Sequence, residues 1–374
     1  MSRSLKDVRV DIDDLDRSLQ ALINQRALLA QEAAKLKREA GESPDRYYHP
    51  AREAELLREV ISRQSGPISP EAMARLFREV MSACLAIETR LRVGFLGPEE
   101  TYTHIALERH FGGGVDAISC SDIESVFHQV VINQIDYGVV PLENMSEGLI
   151  SQTLNALASL HRSSHQSSPV TICGEVQLHI RHTLLGAHML VQGDSVRFDE
   201  VDKVYAHPQS LAQCRRWLDQ RLPHAERVST ASNALAASLA SRSDTSVAIA
   251  SERAGSRYQL STLATGLEDH PHNVTRFIVF GRARPRASGL DRTIALIDAE
   301  QRDLLTLLAP LSRRGVEALR ISTHQASRGA QLLIDMRGHV RESPLRDALN
   351  DLADRGVKLH VLGSYPEPDL VFQV

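Results

Sequence analysis

The sequence predicts a multidomain protein with an all-α helical domain, then a two-lobed α/β domain, then an α+β ferredoxin-like domain. Three observations predict this order. Leu5 to Ala40 contains no proline or glycine, and its apolar residues recur in alternating steps of four and three, as in a helix that buries one stripe. After Leu91, short apolar runs alternate with helical stretches, which is typical of α/β layers with largely parallel strands. After a basic linker at 281–292, the predicted elements follow the order βαββαβ.

The chain length and the helix signals place the domain boundaries. A chain of 374 residues exceeds what one hydrophobic core usually serves, so we predict domains at 1–91, 92–283 and 290–374. Proline at a first helical turn predicts a second helix from Pro50 to Arg63 and a third that begins at Ser69-Pro70. The first helix would be roughly 50 Å long. Because that exceeds a compact domain of this size, we expect a homodimer or a higher homo-oligomer.

Composition excludes several classes of partner. The formal net charge of -4 argues against nucleic acid and against an anionic membrane surface, so the substrate is expected to be a small molecule. The four cysteines lie far apart, which suits a reducing compartment and no metal cluster. The N-terminus has no apolar core of the secretory type, and no apolar run approaches the length of a membrane span. We therefore expect a cytoplasmic protein.

A cation lies inside the apolar stripe of the first predicted helix. Arg26 occupies the seam position between two leucines, which costs several kcal/mol unless an anion compensates its charge. That anion is either an acidic side chain such as Glu53 or Glu88, or a ligand. Lys37 lies three turns further on, nearly on the same face. Together with Arg52, these residues would place both signs of charge in a helical core, which favours a ligand site.

Four loop segments of the middle domain carry polar residues at the predicted ends of strands. Each is a weak signal alone, although ligands of open α/β sheets bind at the carboxyl ends of strands. The segments are Val93-Gly94-Phe95-Leu96-Gly97-Pro98 with Thr101 and Thr103 after it, Val140 to Gly148, Ala206-His207-Pro208-Gln209, and Asn273-Val274-Thr275-Arg276-Phe277.

These residues carry a resemblance to a known family. Residues 5–91 resemble the all-helical chorismate mutase domain, and the four segments resemble, in order, those of prephenate dehydratase followed by an ACT domain. Over essentially its full length, the chain therefore resembles the bifunctional chorismate mutase/prephenate dehydratases of phenylalanine biosynthesis. The resemblance implies a periplasmic-binding-protein-like dehydratase fold, the substrates chorismate and prephenate, and no cofactor or metal.

The resemblance also implies roles in the helical domain. Arg26 and Arg9 of the partner subunit would bind the two carboxylates of chorismate, while Lys37 and Glu88 would donate hydrogen bonds to its ether oxygen. The rest of the pocket would be His49, Arg52, Glu53 and Cys84. The family commonly has glutamine at position 88, serine at 84 and aspartate at 49. Because a glutamate donates only when protonated, we predict that mutase activity falls as pH rises.

In the dehydratase domain, the resemblance makes Thr275 the residue that protonates, or donates a hydrogen bond to, the leaving hydroxyl of prephenate. Arg276 would bind a carboxylate, although the pattern also fits a structural ion pair. His207 would line the cleft or anchor its loop. The other cleft residues would be Thr101, Thr103, Glu143, Asn144, Ser146, Gln209 and Phe277. Glu100 replaces a turn glycine, Met145 and Ala206 replace serines, and we expect Glu100 to weaken the dehydratase because glutamate resists the backbone conformation open to glycine.

The C-terminal domain departs from the family pattern for sensing L-phenylalanine. Arg302-Asp303-Leu304 stands where a G-A-L turn is usual, and Ser322-Thr323-His324-Gln325 stands where E-S-R-P is usual. We therefore predict weak or absent feedback inhibition by this possible effector. Two alternatives remain open: a mutase joined to a decayed dehydratase, and a sensor that binds aromatic amino acids without turnover.

Overall fold

Three helices form the N-terminal domain, and each begins where the sequence supplies a cap or a proline. The computed structural model describes residues 3–41, 48–163, 170–193, 195–270, 273–298, 304–326, 329–368 and 371–373. The helices are α1 (Leu5–Glu39), α2 (Pro50–Arg63) and α3 (Pro70–Glu88). Ser4 caps α1 by accepting a hydrogen bond from the backbone N–H of Asp7 at 3.2 Å, and Ser69 caps α3 in the same way. The predicted starts of the second and third helices are confirmed.

The apolar stripe of α1 is uncovered within one chain. The side chains of Leu15, Leu22 and Leu29 are 67%, 62% and 60% exposed, although their spacing is that of a buried stripe. α1 packs on α3, and this contact leaves the stripe facing outward. A continuous apolar surface of this kind marks an interaction site in a folded protein. Among the described helices, none is long and apolar enough to cross a membrane.

Two mixed β-sheets form the middle domain, one in each lobe. The first lobe contains β1 (Arg92–Leu96), α4 (Tyr102–Phe111), β2 (Asp116–Cys120), α5 (Ile123–Val131), β3 (Tyr137–Asn144), β4 (Gly148–Leu149), α6 (Ser151–Ser163) and β5 (Thr171–His179). The second lobe contains β6 (Thr183–Gly186), β7 (Val191–Gln192), β8 (Ser195–Val196), β9 (Lys203–Ala206), α7 (Pro208–Gln213), α8 (Arg215–Arg221), β10 (Glu226–Ser229), α9 (Asn233–Ala240), β11 (Ser246–Ala250), α10 (Glu252–Tyr258) and β12 (Ser261–Thr265). The chain then returns to the first lobe through β13 (Val274–Gly281).

Strand direction in these sheets is only partly as predicted. β1 is parallel to β2 and β3, and β9 is parallel to β10 and β11. β13, in contrast, is antiparallel to both of its neighbours, β3 and β5. The reason is topological, because β5 leads the chain out of the first lobe and β13 leads it back. The prediction of largely parallel strands was therefore wrong at the crossing between lobes, and also in the second lobe, where β6 is antiparallel to β11 and β12.

The C-terminal domain has the predicted βαββαβ order. Its elements are β14 (Asp291–Asp298), α11 (Leu304–Arg313), β15 (Ala318–Ala326), β16 (Gly329–Arg337), α12 (Ser343–Asp354) and β17 (Leu359–Pro366). The four strands form an antiparallel sheet in the order β15-β16-β14-β17, which is the ferredoxin-like arrangement. A last strand, β18 (Val371–Gln373), leaves this domain and pairs with β5 of the first lobe.

The C-terminal sheet shares a hydrophobic core with the first lobe. One face of the sheet packs its own helices, and the other contributes Ile294, Leu296 and Leu333 to a cluster that also contains Leu154 and Phe280 of the first lobe. Residues on these two faces alternate along each strand, as a sheet buried on both sides requires. The C-terminal domain is therefore seated directly behind the strands that lead to the cleft.

Candidate active sites

The helical domain brings two predicted catalytic residues together. The Lys37 Nζ atom lies 3.7 Å from the Glu88 Oε2 atom, and both side chains are largely buried. Cys84 is buried one helical turn before Glu88 on α3. Long helices present residues three and four apart on one face, and this spacing directs Cys84 and Glu88 to the same side. The pair formed by Lys37 and Glu88 thus connects α1 with α3.

Arg26 is half-buried on α1, and the internal salt bridge considered for it is not formed. Glu88 lies beside Lys37, while the Glu53 Oε1 atom lies 3.7 Å from the Nε atom of Arg78. Within the described part of the chain, neither carboxylate is an ion-pair partner of Arg26. A half-buried guanidinium on an apolar helix face that pairs with neither of these two carboxylates favours the alternative, an anionic ligand.

Three predicted pocket residues, His49, Arg52 and Glu53, line cavities that do not include Lys37 or Glu88. Arg52 is exposed, and with His49 it lines a cavity of about 750 Å³ beside the linker arginines, of which Arg284 is one. Glu53 lines a smaller cavity with His110, and burial raises the pKa of Glu53 to about 7 despite Arg78 beside it. The physical reason is that α2 is packed between α3 and β17 of the C-terminal domain. The contacts of the single chain therefore do not support the assignment of His49, Arg52 and Glu53 to a common pocket with Lys37.

A cleft of about 260 Å³ separates the two lobes of the middle domain. It lies at the carboxyl ends of β1 and β9, where ligands bind in α/β proteins. Loops and helix ends from both lobes line it. The predicted residues that it brings together are Thr101, Thr103, Asn144, His207, Gln209, Thr275 and Phe277.

Asn144 orients the hydroxyl of Thr275. The two residues are register partners on β3 and β13, and the Asn144 Nδ2 atom donates to the Thr275 Oγ1 atom at 2.8 Å. The orientation of the amide is determined, because the backbone N–H of Ser146 donates to Asn144 Oδ1 at 2.9 Å. Since Thr275 Oγ1 already accepts a hydrogen bond, its own O–H is left to act as a donor. Ser146 thus supports the site through its backbone and does not line the cleft.

Two other cleft residues serve as helix caps. Thr101 Oγ1 donates to the carbonyl oxygen of Pro98 at 2.9 Å and caps α4. His207 caps α7, because its Nδ1 atom accepts from the backbone N–H of Gln209 at 3.3 Å. Burial lowers the pKa of His207, which favours the neutral ring. The loop-anchoring alternative for His207 therefore matches an observed contact.

Arg276 and Glu143 lie on the opposite side of the sheet from the cleft. Arg276 is 4% exposed, and its guanidinium lies 2.8 Å from Glu175, 3.0 Å from Glu143 and 2.6 Å from Asp335 of the C-terminal domain. Successive side chains of a strand point to opposite faces, so Thr275 and Arg276 cannot both face the cleft. These contacts do not support the assignment of Arg276 and Glu143 to substrate binding, and the alternative of a structural ion pair describes the contacts of Arg276.

This buried network is strongly charged. Burial disfavours the charged form of Glu175, but Arg276 and Arg292 overcome this effect and lower the pKa of Glu175 to about 2. Tyr365 Oη also donates to Glu175 Oε2 at 2.7 Å. The network therefore connects the strand that carries Thr275 with three strands of the C-terminal sheet, because Arg292, Asp335 and Tyr365 lie on β14, β16 and β17.

Glu100 adopts the conformation that made it an unfavourable replacement for glycine. Its φ is +66°, in the left-handed region. For a residue with a Cβ this costs roughly 1–2 kcal/mol. The predicted backbone conformation is confirmed.

Several cleft residues were missed by the sequence analysis. His182 lies on the crossing between β5 and β6, and its Nε2 atom is 2.8 Å from Gln213 Oε1. Asn233 Oδ1 accepts from the backbone N–H of His207 at 2.9 Å. Ser251 caps α10 at the end of β11. A search for polar residues at the ends of buried strands could have found Ser251, whereas His182 and Gln213 are paired only by the tertiary structure.

The segment 322–325, which stands where E-S-R-P is usual, contacts the first lobe through His324. His324 is buried, and its Nε2 atom is 3.0 Å from Asn155 Oδ1 on α6. Arg302, Asp303 and the side chain of Gln325 lie outside the described residues. In the single chain, the side chain of His324 therefore makes a contact between the C-terminal domain and the first lobe.

Fold and sites together define a protein with two separate candidate sites for small molecules. One site is a cationic helical module, and the other is a cleft between α/β lobes with an oriented hydroxyl donor. Family models for both enzymes match the chain, which therefore belongs to the bifunctional chorismate mutase/prephenate dehydratase family and has both of these activities.

Comparisons with known proteins carry this assignment. The family model for chorismate mutase type II matches residues 8–89, and the model for prephenate dehydratase matches residues 93–285. A bifunctional chorismate mutase/prephenate dehydratase from Pseudomonas aeruginosa is 40% identical over 97% of this chain and 98% of its own length. The protein of the same description from Neisseria gonorrhoeae is 37% identical over 95% of each chain. A prephenate dehydratase from Arthrobacter aurescens, solved with L-Phe, has a TM-score of 0.63 and 28% identity over 75% of this chain and 93% of its own.

Proposed function

We propose that the chain converts chorismate to prephenate in the helical domain and prephenate to phenylpyruvate in the interlobe cleft. The observation that supports the second step concerns the hydroxyl of Thr275. This hydroxyl accepts a hydrogen bond from Asn144, so its own O–H points elsewhere and can act as a donor. When prephenate loses carbon dioxide, the electrons of the broken C–C bond aromatise the ring and expel the hydroxyl. That hydroxyl leaves as water and needs a proton or a strong hydrogen bond, which Thr275 supplies.

The mutase step needs no nucleophile. The rearrangement breaks one C–O bond and forms one C–C bond within the same molecule, so the protein has to hold a conformer and stabilise the charge that develops on the ether oxygen. We assign Arg26 to a carboxylate of chorismate, and Lys37 and Glu88 to the ether oxygen. Their proximity on α1 and α3 supports this assignment.

The active mutase is proposed to be a homodimer. The exposed apolar stripe of α1 would be covered by the same stripe of a second copy, and Arg9 of the partner subunit would complete the pocket of Arg26. We also propose a cytoplasmic location, which is supported by the four cysteines present as free, buried thiols.

Incubation with chorismate alone tests both sites together. We expect chorismate to disappear, prephenate to rise and decline, and phenylpyruvate to accumulate, as followed by chromatography. Prephenate as the final product would support the alternative of a decayed dehydratase. Binding of aromatic amino acids by calorimetry without any turnover would support the sensor alternative and contradict the proposed function.

The pH dependence of the mutase tests the role of Glu88. A protonated carboxyl donates to the ether oxygen and a carboxylate does not, so mutase kcat is expected to fall as pH rises. Glu88→Gln keeps a donor at every pH and is expected to level the profile. The measurement is initial chorismate consumption across a pH series. A level wild-type profile that Glu88→Gln leaves unchanged would contradict the assignment.

The C-terminal domain is proposed to be an ACT domain with weak sensitivity to L-phenylalanine. Its ferredoxin-like topology supports the domain type, and the dehydratase from Arthrobacter aurescens was solved with L-Phe. In this chain, His324 is held by Asn155, and the usual binding signatures are absent from the sequence. We expect dehydratase activity to be nearly unchanged at micromolar L-phenylalanine. Clear inhibition in that range would overturn this prediction.

A further inference from the structure

Glu100 connects the two lobes through its backbone. It lies in the turn between β1 and α4, at the edge of the cleft. Its backbone N–H donates to His104 Nδ1 of its own lobe at 3.1 Å, and its carbonyl oxygen accepts from Ser251 Oγ of the second lobe at 3.3 Å. Both polar groups of the left-handed residue are thus held by side chains, one from each lobe.

The carboxylate of Glu100 makes a second connection. Although the side chain sits at the cleft edge, it is only 8% exposed. Its Oε2 atom lies 3.0 Å from Arg253 Nε, and its Oε1 atom lies 3.3 Å from Arg257 Nη1. Both arginines are on α10 of the second lobe, one helical turn apart, so they present their charges on one face.

Other carboxylates of the first lobe extend this ion-pair cluster. Arg253 Nη2 donates to Glu108 Oε1 on α4 at 2.7 Å, and Arg257 Nη1 lies 2.6 Å from Glu99 Oε2. The first lobe therefore contributes three carboxylates, and α10 contributes two guanidinium groups. Glu99 is 53% and Glu108 34% exposed, so water and salt screen them more than the buried Glu100.

We infer that Glu100 is a positioning residue for the dehydratase, which holds α10 of the second lobe against the turn that carries Thr101 and thereby sets the closure of the cleft. This inference rests on the dehydratase activity of the interlobe cleft. Two-lobed proteins close around ligands by hinge motion, and a charge pair across the opening stabilises the closed form. The side chain that replaces glycine thus supplies an interlobe contact that a glycine cannot make.

Prephenate turnover by Glu100→Gln tests the inference. The amide keeps the size and the backbone conformation of glutamate but lacks its charge. Loss of the closed form is expected to raise KM for prephenate by about tenfold, with kcat changed by less than about threefold.

Glu108→Gln is the matched control. It removes another carboxylate partner of Arg253 on the same lobe but leaves the turn intact, so its KM is expected to stay within about twofold of wild type because its pair is screened. Chorismate consumption and the circular dichroism spectrum are measured for each variant, and preservation of both shows that the helical domain and the lobes are folded. Glu100→Asp, which keeps the charge, is expected to recover part of the KM change.

The outcomes separate the inference from the function on which it rests. Wild-type protein without prephenate turnover would contradict the dehydratase function itself. Turnover with a wild-type KM in Glu100→Gln would overturn the interlobe role of Glu100. An equal rise in KM in Glu108→Gln, or no recovery of KM in Glu100→Asp, would also overturn it, because either result shows that KM does not depend on the carboxylate at position 100.

Discussion

Replacing Thr275 by valine is expected to stop the reaction at prephenate while chorismate is still consumed. Valine has nearly the shape of threonine but lacks the hydroxyl that Asn144 orients (2.8 Å). Hydrogen-bond or proton donation in a transition state contributes about 10²–10⁴-fold, so dehydratase kcat should fall by about 10²-fold or more. The mutase residues lie in another domain, and their activity should be unchanged. Chromatography of prephenate and phenylpyruvate gives the measurement.

Thr275→Ser is the control for this prediction, because it retains the hydroxyl that accepts from Asn144. We expect the serine variant to keep dehydratase activity within about tenfold of wild type. Release of phenylpyruvate by the valine variant at the wild-type rate would show that the hydroxyl takes no part in the reaction.

Replacing Arg276 by methionine is expected to destabilise the dehydratase and C-terminal domains strongly. The substitution leaves Glu175 and Asp335 buried without their shared partner, at 0% and 2% side-chain exposure. Removal of one member of a buried ion pair typically costs about 3–5 kcal/mol. Urea unfolding followed by circular dichroism should therefore show a markedly lower midpoint, and prephenate turnover should be lost with the fold.

Arg320→Met provides the comparison. Arg320 also pairs with Glu143, but it is 37% exposed, so its loss is expected to cost no more than about 1 kcal/mol. If Arg276→Met unfolds like wild type and only its KM for prephenate rises, then Arg276 binds substrate and the ion-network interpretation is wrong.

Local signals were sufficient to predict much of the architecture. The start of α2 and the start of α3 follow from prolines that fit a first helical turn, and the length of α1 follows from a proline- and glycine-free run. The βαββαβ order of the C-terminal domain follows from hydrophobic periodicity. The backbone conformation of Glu100 was predicted because it stands where the related sequences have glycine. These features depend on residues that are neighbours along the chain.

The roles of Arg276, Glu143 and Glu100 were decided only by the tertiary structure. A strand pattern shows that Thr275 and Arg276 face opposite sides, but which side is the cleft depends on the lobe and the C-terminal sheet packed there. Glu100 pairs with Arg253 and Arg257, which lie about 150 residues further along the chain. Local spacing in the sequence cannot reveal a contact of this separation. The sequence by itself therefore determined the N-terminal helices, the order of the elements and several of the residues that reach the cleft. The roles of Arg276, Glu143 and Glu100 depend on burial and on ion pairs between distant segments, because the energy of a charge depends on the groups that surround it in space.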